Sequence, residues 1–515
     1  MAPAVAQETT VDTAHQSPLG EQGSAEWQRL LTRQRFAPAV SFNNTTIPGE
    51  PLSTYGRLFA WSNIALDTTA IDHTPPAPGQ NYTFGQAFGP PRAARAMAIA
   101  HIAMFEAVNA ITPKFHSYTG LAEVKDGDVS TDAAIAQAMH DALVFVYPSQ
   151  KSRLDALLAF DQKFIKANAK ANAAGTALGA AAAQSIVALR SNDGSQTQEP
   201  IVGVNFFPLG GVPNWAPDPI SQSTTALGEN WFQVKPFVIQ KADQFRPPVP
   251  PNEASQEYTD AFNEEVTLGG DPNFGTPTTR TAEETLEGIF WTYDGVPNIC
   301  APPRLYNQIA HQLALSRKMT SVEDTAQMFA VLNTAMADAG LTAWEAKWHY
   351  QFWRPITGIR WDTAQPNTQV VPQPNWTPLG AQETNTTNRN FTPPFPAYPS
   401  GHATFGGAVF EVLKSYFKDN ESVTFISDEF NGQNFSDTGV LMPLEPVTFP
   451  SLTAADQSNA ESRIWVGVHW QFDADMGDAA GISMADFVLA NSFLPIDPNN
   501  GAPTGLSAIT QSAQK

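Results

Sequence analysis

The chain has 515 residues, of which 42% are hydrophobic and 15% charged, and its formal net charge is −21. Such an acidic chain is not expected to bind nucleic acid or an anionic membrane surface. With one cysteine, Cys300, an intrachain disulfide is excluded and a cysteine-based metal site is not expected. We find no run of 18 apolar residues and no ordinary signal peptide within residues 1–20. We therefore expect a soluble protein without a membrane span, and the compartment stays open, secretion included.

Three regions are predicted along the chain. Residues 1–50 are rich in Ala, Gln, Pro, Ser and Thr and are expected to form an extended arm. Residues 51–280 are predicted to be an N-terminal helical half, in which the Pro-rich segment 195–280 makes an irregular excursion over a cleft. Residues 281–515 are predicted to be a C-terminal helical half that carries an oxyanion site.

Hydrophobic periodicity predicts helices throughout both halves, and strand-like alternation is rare. The predicted class is therefore all-α, with two halves that each resemble a four-helix bundle and are joined by long Pro-rich loops. One helix is predicted to begin near Pro90, and others span about 131–147, 150–167, 169–190, 281–292, 302–318, 321–339, 341–354, 402–417, 452–468 and 475–492. The segment between about 417 and 452 is predicted to be a loop.

A turn rich in proline predicts an anion site. Prolines at 393–399 prevent a helix from beginning before Ser400, and apolar residues at helical spacing follow His402. Ser400 and Gly401 are therefore expected at a helix N-terminus, where free backbone N–H groups and the helix dipole favour an anion. The Ser400 hydroxyl adds a donor, and His402 adds a titratable group. Taken alone, such a turn is more often only a helix cap.

Cations are predicted to gather at this turn from two other segments. Lys347 and Arg354 are seven residues apart and thus two turns apart on one helix face, among aromatic residues such as Trp344. Arg463 and His469 lie in another apolar segment. Each group alone could be an ordinary surface or core residue. Three buried cations together need an anion, because removing each from water costs several kcal/mol, whereas each charge-assisted hydrogen bond contributes roughly 1.5–3 kcal/mol.

The three segments have the order and spacing K-x6-R-P, P-S-G-H and S-R-x5-H-x3-D, and Asp473 supplies the last carboxylate. This combination resembles the signature shared by the vanadium-dependent haloperoxidases and the type 2 phosphatidic acid phosphatase superfamily. The likeness to the haloperoxidase branch is dense from about residue 285 to 475 and looser from about 55 to 190.

The resemblance implies vanadate, containing vanadium(V), as the cofactor. It implies that His469 is the axial metal ligand, that His402 is an acid–base residue, and that Asp294 pairs with Arg463. The residues implied to hold the vanadate oxygens are Lys347, Arg354, Arg463, Ser400 and Gly401. Lys347 is also implied to stabilise the charge that is displaced when halide attacks.

The implied reaction is oxidation of halide by hydrogen peroxide to hypohalous acid, which then halogenates a small organic substrate. Trp344 and Phe395 match the aromatic residues that line the halide side in the family, and Phe395 favours chloride as well as bromide. The organic substrate and the choice between a monomer and a homodimer stay open.

Two other functions use the same residues. In an acid phosphatase, His469 would attack phosphorus, Asp473 or another carboxylate would orient it, and His402 would protonate the leaving group. A protein that binds or transports an oxyanion without catalysis has little need for two histidines beside it. Trp344, Phe395 and the absence of the membrane spans typical of lipid phosphatases favour the haloperoxidase.

Overall fold

The described part of the chain contains thirteen α-helices and one two-stranded antiparallel sheet. The structure is a computed structural model that describes residue 47 and residues 49–125, 127–361, 367–386 and 389–496. Its helical architecture confirms the predicted all-α class. The predicted extended arm, residues 1–50, lies outside the described residues except for residues 47, 49 and 50.

The helices and strands are numbered here in chain order. The first five helices are α1 (Thr54–Asp72), α2 (Pro90–Ile111), α3 (Thr131–Val146), α4 (Lys151–Asp161) and α5 (Ala169–Arg190). The next five are α6 (Gln256–Leu268), α7 (Ala282–Phe290), α8 (Pro302–Ser316), α9 (Val322–Tyr350) and α10 (Pro355–Arg360). The remaining elements are α11 (Gly401–Tyr416), β1 (Val423–Asn431), β2 (Leu444–Phe449), α12 (Leu452–Trp465) and α13 (Gln471–Asn491).

Helix α2 is the centre of the N-terminal bundle and packs against α3, α5 and α9. Pro90 and Pro91 suit the first turn of a helix, and Ala94, Met97 and later apolar residues are fully buried. By length and composition alone α2 could cross a membrane, but 94% of its most apolar window is buried inside the protein. Such burial is typical of a core helix.

Helix α9 joins the two bundles because it packs against α2 on one side and α11 and α13 on the other. Helices α11 and α13 approach closely through glycines. A Cβ atom at Gly477 would lie 2.7 Å from the carbonyl oxygen of Ser400, and one at Gly481 would lie 2.8 Å from the backbone nitrogen of Ala408. This close packing holds the start of α13 against the start of α11, where the predicted anion site lies.

The prediction of two helices at 321–339 and 341–354 was wrong, because α9 is continuous for 29 residues. Gly340 lies inside it, where a Cβ atom would be 3.1 Å from the Phe405 ring and 3.4 Å from Cα of Pro91. Glycine thus allows close packing here and does not end the helix. Ser321 is the N-cap of this helix, since its side chain accepts the backbone N–H of Asp324 at 3.1 Å.

The predicted loop between about 417 and 452 contains the antiparallel sheet. Strand β1 is buried on both faces, so its sequence lacks the alternation that marks a half-buried strand. Phe425 of β1 and Phe449 of β2 pack against Trp291, with ring centroids 5.4 and 5.6 Å away. The sheet therefore supports the segment after α7, which carries Asp294.

The segment 195–280 is irregular apart from α6 and two short 3-10 helices. Hydrogen bonds nevertheless connect this segment to α9. The carboxylate of Asp338 accepts the backbone N–H groups of Phe237, Val238 and Ile239 at 2.7, 2.7 and 3.0 Å. The carbonyl of Leu227 accepts the indole N–H of Trp344 at 3.1 Å.

Candidate functional site

The predicted cations and histidines meet at the N-terminus of α11. A cavity of about 10 Å³ lies there, which is roughly the room that one water-sized sphere needs. Its lining includes the predicted site residues Asp294, Trp344, Phe395, Gly401, His402, Arg463 and His469. Three predicted residues lie directly behind this lining: Arg354 binds His469, Nζ of Lys347 lies 5.2 Å from the Phe395 ring, and Ser400 precedes Gly401 in the chain.

Ser400 and Gly401 begin α11, as predicted from the preceding prolines. Ser400 is the N-cap residue, and its side chain accepts the backbone N–H of Ala403 at 3.4 Å. Its own N–H donates to the carbonyl of Asp473 at 2.8 Å. A Cβ atom at Gly401 would lie 3.3 Å from the Trp344 ring, so a larger residue would crowd the cavity wall.

Lys347 is fully buried near the end of α9 and binds the turn before α11. Its ammonium donates to the carbonyls of Pro396, Ala397 and Pro399 at 3.0, 2.8 and 2.5 Å. These three acceptors use all three donors of an ammonium. Burial, and then Arg354, lower the pKa of Lys347 well below its ordinary value. In this geometry Lys347 fixes the turn, and direct contact with an oxyanion requires one of these three hydrogen bonds to be released.

Arg354 and Arg463 carry donors that the protein leaves free. Arg354 uses Nε for the carbonyl of Phe395 at 2.9 Å and Nη1 for His469 Nε2 at 2.8 Å. Arg463 uses Nη2 for Oδ2 of Asp294 at 2.7 Å. Nη2 of Arg354 and both Nε and Nη1 of Arg463 are buried and have no hydrogen-bond partner among the described residues. Three guanidinium nitrogens are thus available to an anion.

His469 is held with one ring nitrogen toward the cations. Its Nδ1 lies 3.0 Å from Oδ2 of Asp473, which also accepts the backbone N–H of Trp470 at 3.0 Å. A carboxylate accepts, so Nδ1 carries the proton and Nε2 keeps its lone pair. Burial lowers the pKa of His469 well below its ordinary value, and Arg354 and Lys347 lower it further. Burial also raises the pKa of Asp473 to about 7.

His402 has the opposite tautomer. Its Nε2 lies 2.8 Å from the carbonyl of Thr292 and 3.0 Å from that of Trp291, so Nε2 carries the proton and Nδ1 is left as the acceptor. Burial, followed by Arg463, lowers the pKa of His402 well below its ordinary value. Burial likewise lowers the pKa of Arg354 to about 9. Each positively charged group thus lowers the pKa of its neighbours, and a bound anion would raise these pKa values again.

The aromatic pair predicted on the halide side lies at the cavity. The ring centroids of Trp344 and Phe395 are 4.8 Å apart. Nζ of Lys347 lies 5.2 Å from the Phe395 ring, and the Arg354 guanidinium carbon lies 4.9 Å from it. Asp294 also lines the cavity, and burial raises its pKa, although the pairing with Arg463 lowers it in part.

Sequence reasoning missed the groups that hold these side chains. The carbonyls that bind Lys347 and His402 have no sequence signal, because every residue has one. Asp294, which the resemblance did identify, lies within a turn where three non-glycine residues have left-handed φ values. These are Tyr293, Asn298 and Cys300, at 42°, 67° and 73°. Such conformations often mark functional segments.

Comparison with known proteins confirms the resemblance drawn from the motifs. Residues 327–495 match the family model of the VCPO (vanadium chloroperoxidase) second helical-bundle domain. Over 251 residues the chain is 38% identical to vanadium chloroperoxidase from Curvularia inaequalis, a match that covers 42% of this chain and 40% of that protein.

Solved structures show the same fold. A bacterial vanadium-dependent iodoperoxidase has a TM-score of 0.65 at 22% identity, covering 85% of this chain and 97% of its own. The holo form of a bacterial vanadium-dependent chloroperoxidase has a TM-score of 0.56 at 16% identity, covering 81% and 96%. At these identities the likeness concerns the helical fold.

Proposed function

We propose that this protein is a vanadate-dependent haloperoxidase, which uses hydrogen peroxide to oxidise halide to hypohalous acid and so halogenates a small organic substrate. One observation carries the proposal. Arg463 and His469 line a buried cavity beside the start of α11, Arg354 binds His469 directly behind it, and all three lie within a region that matches the VCPO second helical-bundle domain.

The residues present fit an oxyanion that contains a metal. Three buried guanidinium nitrogens on Arg354 and Arg463 lack acceptors among the described residues, and the unprotonated Nε2 of His469 lies 2.8 Å from Nη1 of Arg354. Gly401 adds a backbone N–H at the positive end of a 16-residue helix. Since the cavity has room for about one water-sized sphere, its lining side chains must move outward when an oxyanion binds.

When bound, vanadium(V) supplies a Lewis acid that does not itself change oxidation state. His469 would supply Nε2 to the metal in place of the hydrogen bond that Nε2 accepts from Nη1 of Arg354, and Asp473 holds the ring in the tautomer that leaves Nε2 unprotonated. Arg354 and Arg463 offset the negative charge of the oxyanion. His402 is kept neutral by burial, so its Nδ1 can accept a proton from incoming peroxide.

The halide side is proposed at Trp344 and Phe395. An apolar wall with cations behind it suits a weakly hydrated anion, because the wall removes water while Lys347 and Arg354 supply positive charge. We propose that bromide and also chloride are oxidised here, and Phe395 is the residue on which chloride oxidation depends.

Vanadate-dependent bromination of a phenolic dye tests the proposal. Purified protein is stripped of oxyanion, given vanadate, hydrogen peroxide and bromide, and then assayed with chloride in place of bromide. Bromination should require vanadate, and His469→Ala should abolish it. His349→Ala is the matched control, because this histidine is exposed near the end of α9 and does not line the cavity. If His469→Ala retains full bromination, the ligand assignment is wrong.

An acid phosphatase is the second candidate, and the 3.0 Å contact between His469 and Asp473 favours it because a carboxylate would orient a nucleophilic histidine in this way. In that reaction His469 attacks phosphorus and His402 protonates the leaving group. Turnover of an aryl phosphate, with no bromination at any vanadate concentration, would refute the haloperoxidase and support the phosphatase.

A further inference from the structure

A much larger cavity adjoins the oxyanion cavity. Its volume is about 1300 Å³, and we call it the vestibule. Four residues line both cavities, namely Pro90, Asp294, Pro393 and Phe395. The vestibule therefore ends at the wall of the proposed reaction site. Pockets for small organic ligands commonly measure roughly 300–1,000 Å³, so halide and peroxide alone do not account for this volume.

Phenylalanines line the vestibule from its exposed side to this wall. They are Phe84, Phe88, Phe391, Phe395 and Phe435. Phe84 and Phe435 are 43% and 50% exposed, whereas Phe395 is 5% exposed. The rings of Phe84 and Phe88 are 5.3 Å apart at a tilted angle. Such surfaces bind flat aromatic molecules by stacking and edge contacts.

The vestibule offers no unpaired charge among the described residues that line it. Four lining side chains are ionisable, and each has a partner of opposite charge. The pairs are Arg92 with Glu199, Asp294 with Arg463, and Asp437 with Arg389. The polar remainder of the lining consists of amides and hydroxyls, such as Gln382 and Asn385. The lining therefore offers a charged ligand no unpaired counter-charge to offset its loss of water, whereas a neutral ligand needs none.

We propose that the vestibule binds a neutral aromatic molecule of two or more rings that bears a phenolic hydroxyl, and holds it for halogenation at the wall formed by Phe395. This inference rests on the proposed haloperoxidase function, which supplies hypohalous acid. In the transfer, the halogen–oxygen bond breaks and a ring carbon–halogen bond forms. The displaced ring proton joins the released hydroxide as water, so atoms and electrons balance. An electron-rich neutral ring is the acceptor that this chemistry requires.

Binding without turnover tests the vestibule directly. Vanadate-loaded protein is titrated with 2-naphthol by fluorescence, in the absence of peroxide and halide, and naphthalene-2-sulfonate is the anionic comparison. The naphthol should bind and the sulfonate should bind at least about tenfold more weakly. The double variant Phe84→Ala/Phe435→Ala should weaken naphthol binding about tenfold. The matched control is Phe207→Ala/Phe232→Ala, which removes two exposed rings that do not line the vestibule.

Product ratios give the second readout. Bromination of 2-naphthol by the enzyme should give an isomer ratio different from that of hypobromous acid reagent, and the Phe84/Phe435 variant should move toward the reagent ratio. Equal ratios for enzyme and reagent, with no binding isotherm, overturn the inference; sulfonate binding as tight as naphthol binding overturns the neutral-ligand claim. Iodide oxidation to triiodide is followed in parallel. If the protein does not oxidise iodide, the proposed function is wrong. The binding isotherm for 2-naphthol still decides whether the vestibule binds an aromatic ring.

Discussion

Replacing Arg463 with lysine isolates the contribution of its guanidinium geometry to oxyanion binding. Arg463 is fully buried, and Nη2 is engaged by Asp294 at 2.7 Å. Nε and Nη1 have no partner among the described residues. Lysine keeps the positive charge but has one nitrogen, and Asp294 is positioned to take it.

The magnitude follows from the number of donors lost. Arg463→Lys removes one or two charge-assisted hydrogen bonds to the oxyanion, and each contributes about 1.5–3 kcal/mol. Since about 1.4 kcal/mol corresponds to a factor of ten in affinity, the dissociation constant for vanadate should rise at least about tenfold. Vanadate at 100 times its dissociation constant should stabilise the wild-type fold by about 2.7 kcal/mol, and the same concentration should stabilise the variant less.

Equilibrium dialysis with vanadate measures the affinity, and thermal unfolding with and without vanadate measures the stabilisation. Arg190→Lys is the control, because Arg190 is also buried but binds the carbonyls of Lys235 and Pro236 in the N-terminal bundle. Its affinity for vanadate should equal that of the wild type. Wild-type affinity in Arg463→Lys, or an equal loss in both variants, would refute the assignment of the free guanidinium nitrogens to the oxyanion.

Two further predictions concern stability. Burial raises the pKa of Asp473 from 3.8 to about 7, so the folded apoprotein binds this proton more tightly than the unfolded chain. The contribution of Asp473 to the free energy of unfolding should therefore fall by up to about 4 kcal/mol between about pH 4 and pH 7, whereas His402 and His469, whose pKa values are lowered, contribute the opposite trend. The difference between the slopes of wild type and Asp473→Asn in urea titrations isolates the Asp473 contribution, and equal slopes would contradict the argument. A methyl group at Gly228 (φ +76°) would lie 2.5 Å from Nε1 of Trp344, whereas one at Gly210 (φ +70°) meets no atom within 4 Å. Gly228→Ala should thus destabilise by about 2 kcal/mol more than Gly210→Ala in thermal unfolding, and equal losses would show that this contact does not hold Trp344.

Helix boundaries that are set by neighbouring residues in the chain could be predicted from the sequence. Prolines before Ser400 and its capping side chain place the start of α11, and the helix predicted at 169–190 was confirmed at both ends. The break predicted at Gly340 was wrong, because close packing against Phe405 and Pro91 requires glycine within a continuous helix. Strand β1 was missed because tertiary burial on both faces removes its alternation.

The candidate site also has one part that the sequence reveals and another part that only the structure reveals. Its charged residues are visible in the sequence because buried cations in fixed spacing are unusual, and the cavity brings Arg463, His402 and His469 together. The groups that position these residues are not visible in the sequence. Lys347 binds carbonyls, and the vestibule draws its lining from segments near residues 84–92, 195–199, 223–227, 294–298, 382–386, 391–395 and 435–439. Carbonyls and surfaces of this kind arise only when distant segments pack together.

Lys347 is a site residue that the sequence reveals, and its hydrogen-bond partners are revealed only by the structure. Its three carbonyl acceptors lie in the turn that precedes α11, so the ammonium ties the end of α9 to the point where α11 begins. Helix α13 fixes the same point from the other side through Gly477, which is close to the Ser400 carbonyl. The free nitrogens of Arg354 and Arg463 therefore stay beside a helix N-terminus that is held from both sides. Because this backbone is fixed before the anion arrives, the outward movement of the lining side chains is the main rearrangement that binding requires, and no affinity is spent on ordering the helix N-terminus.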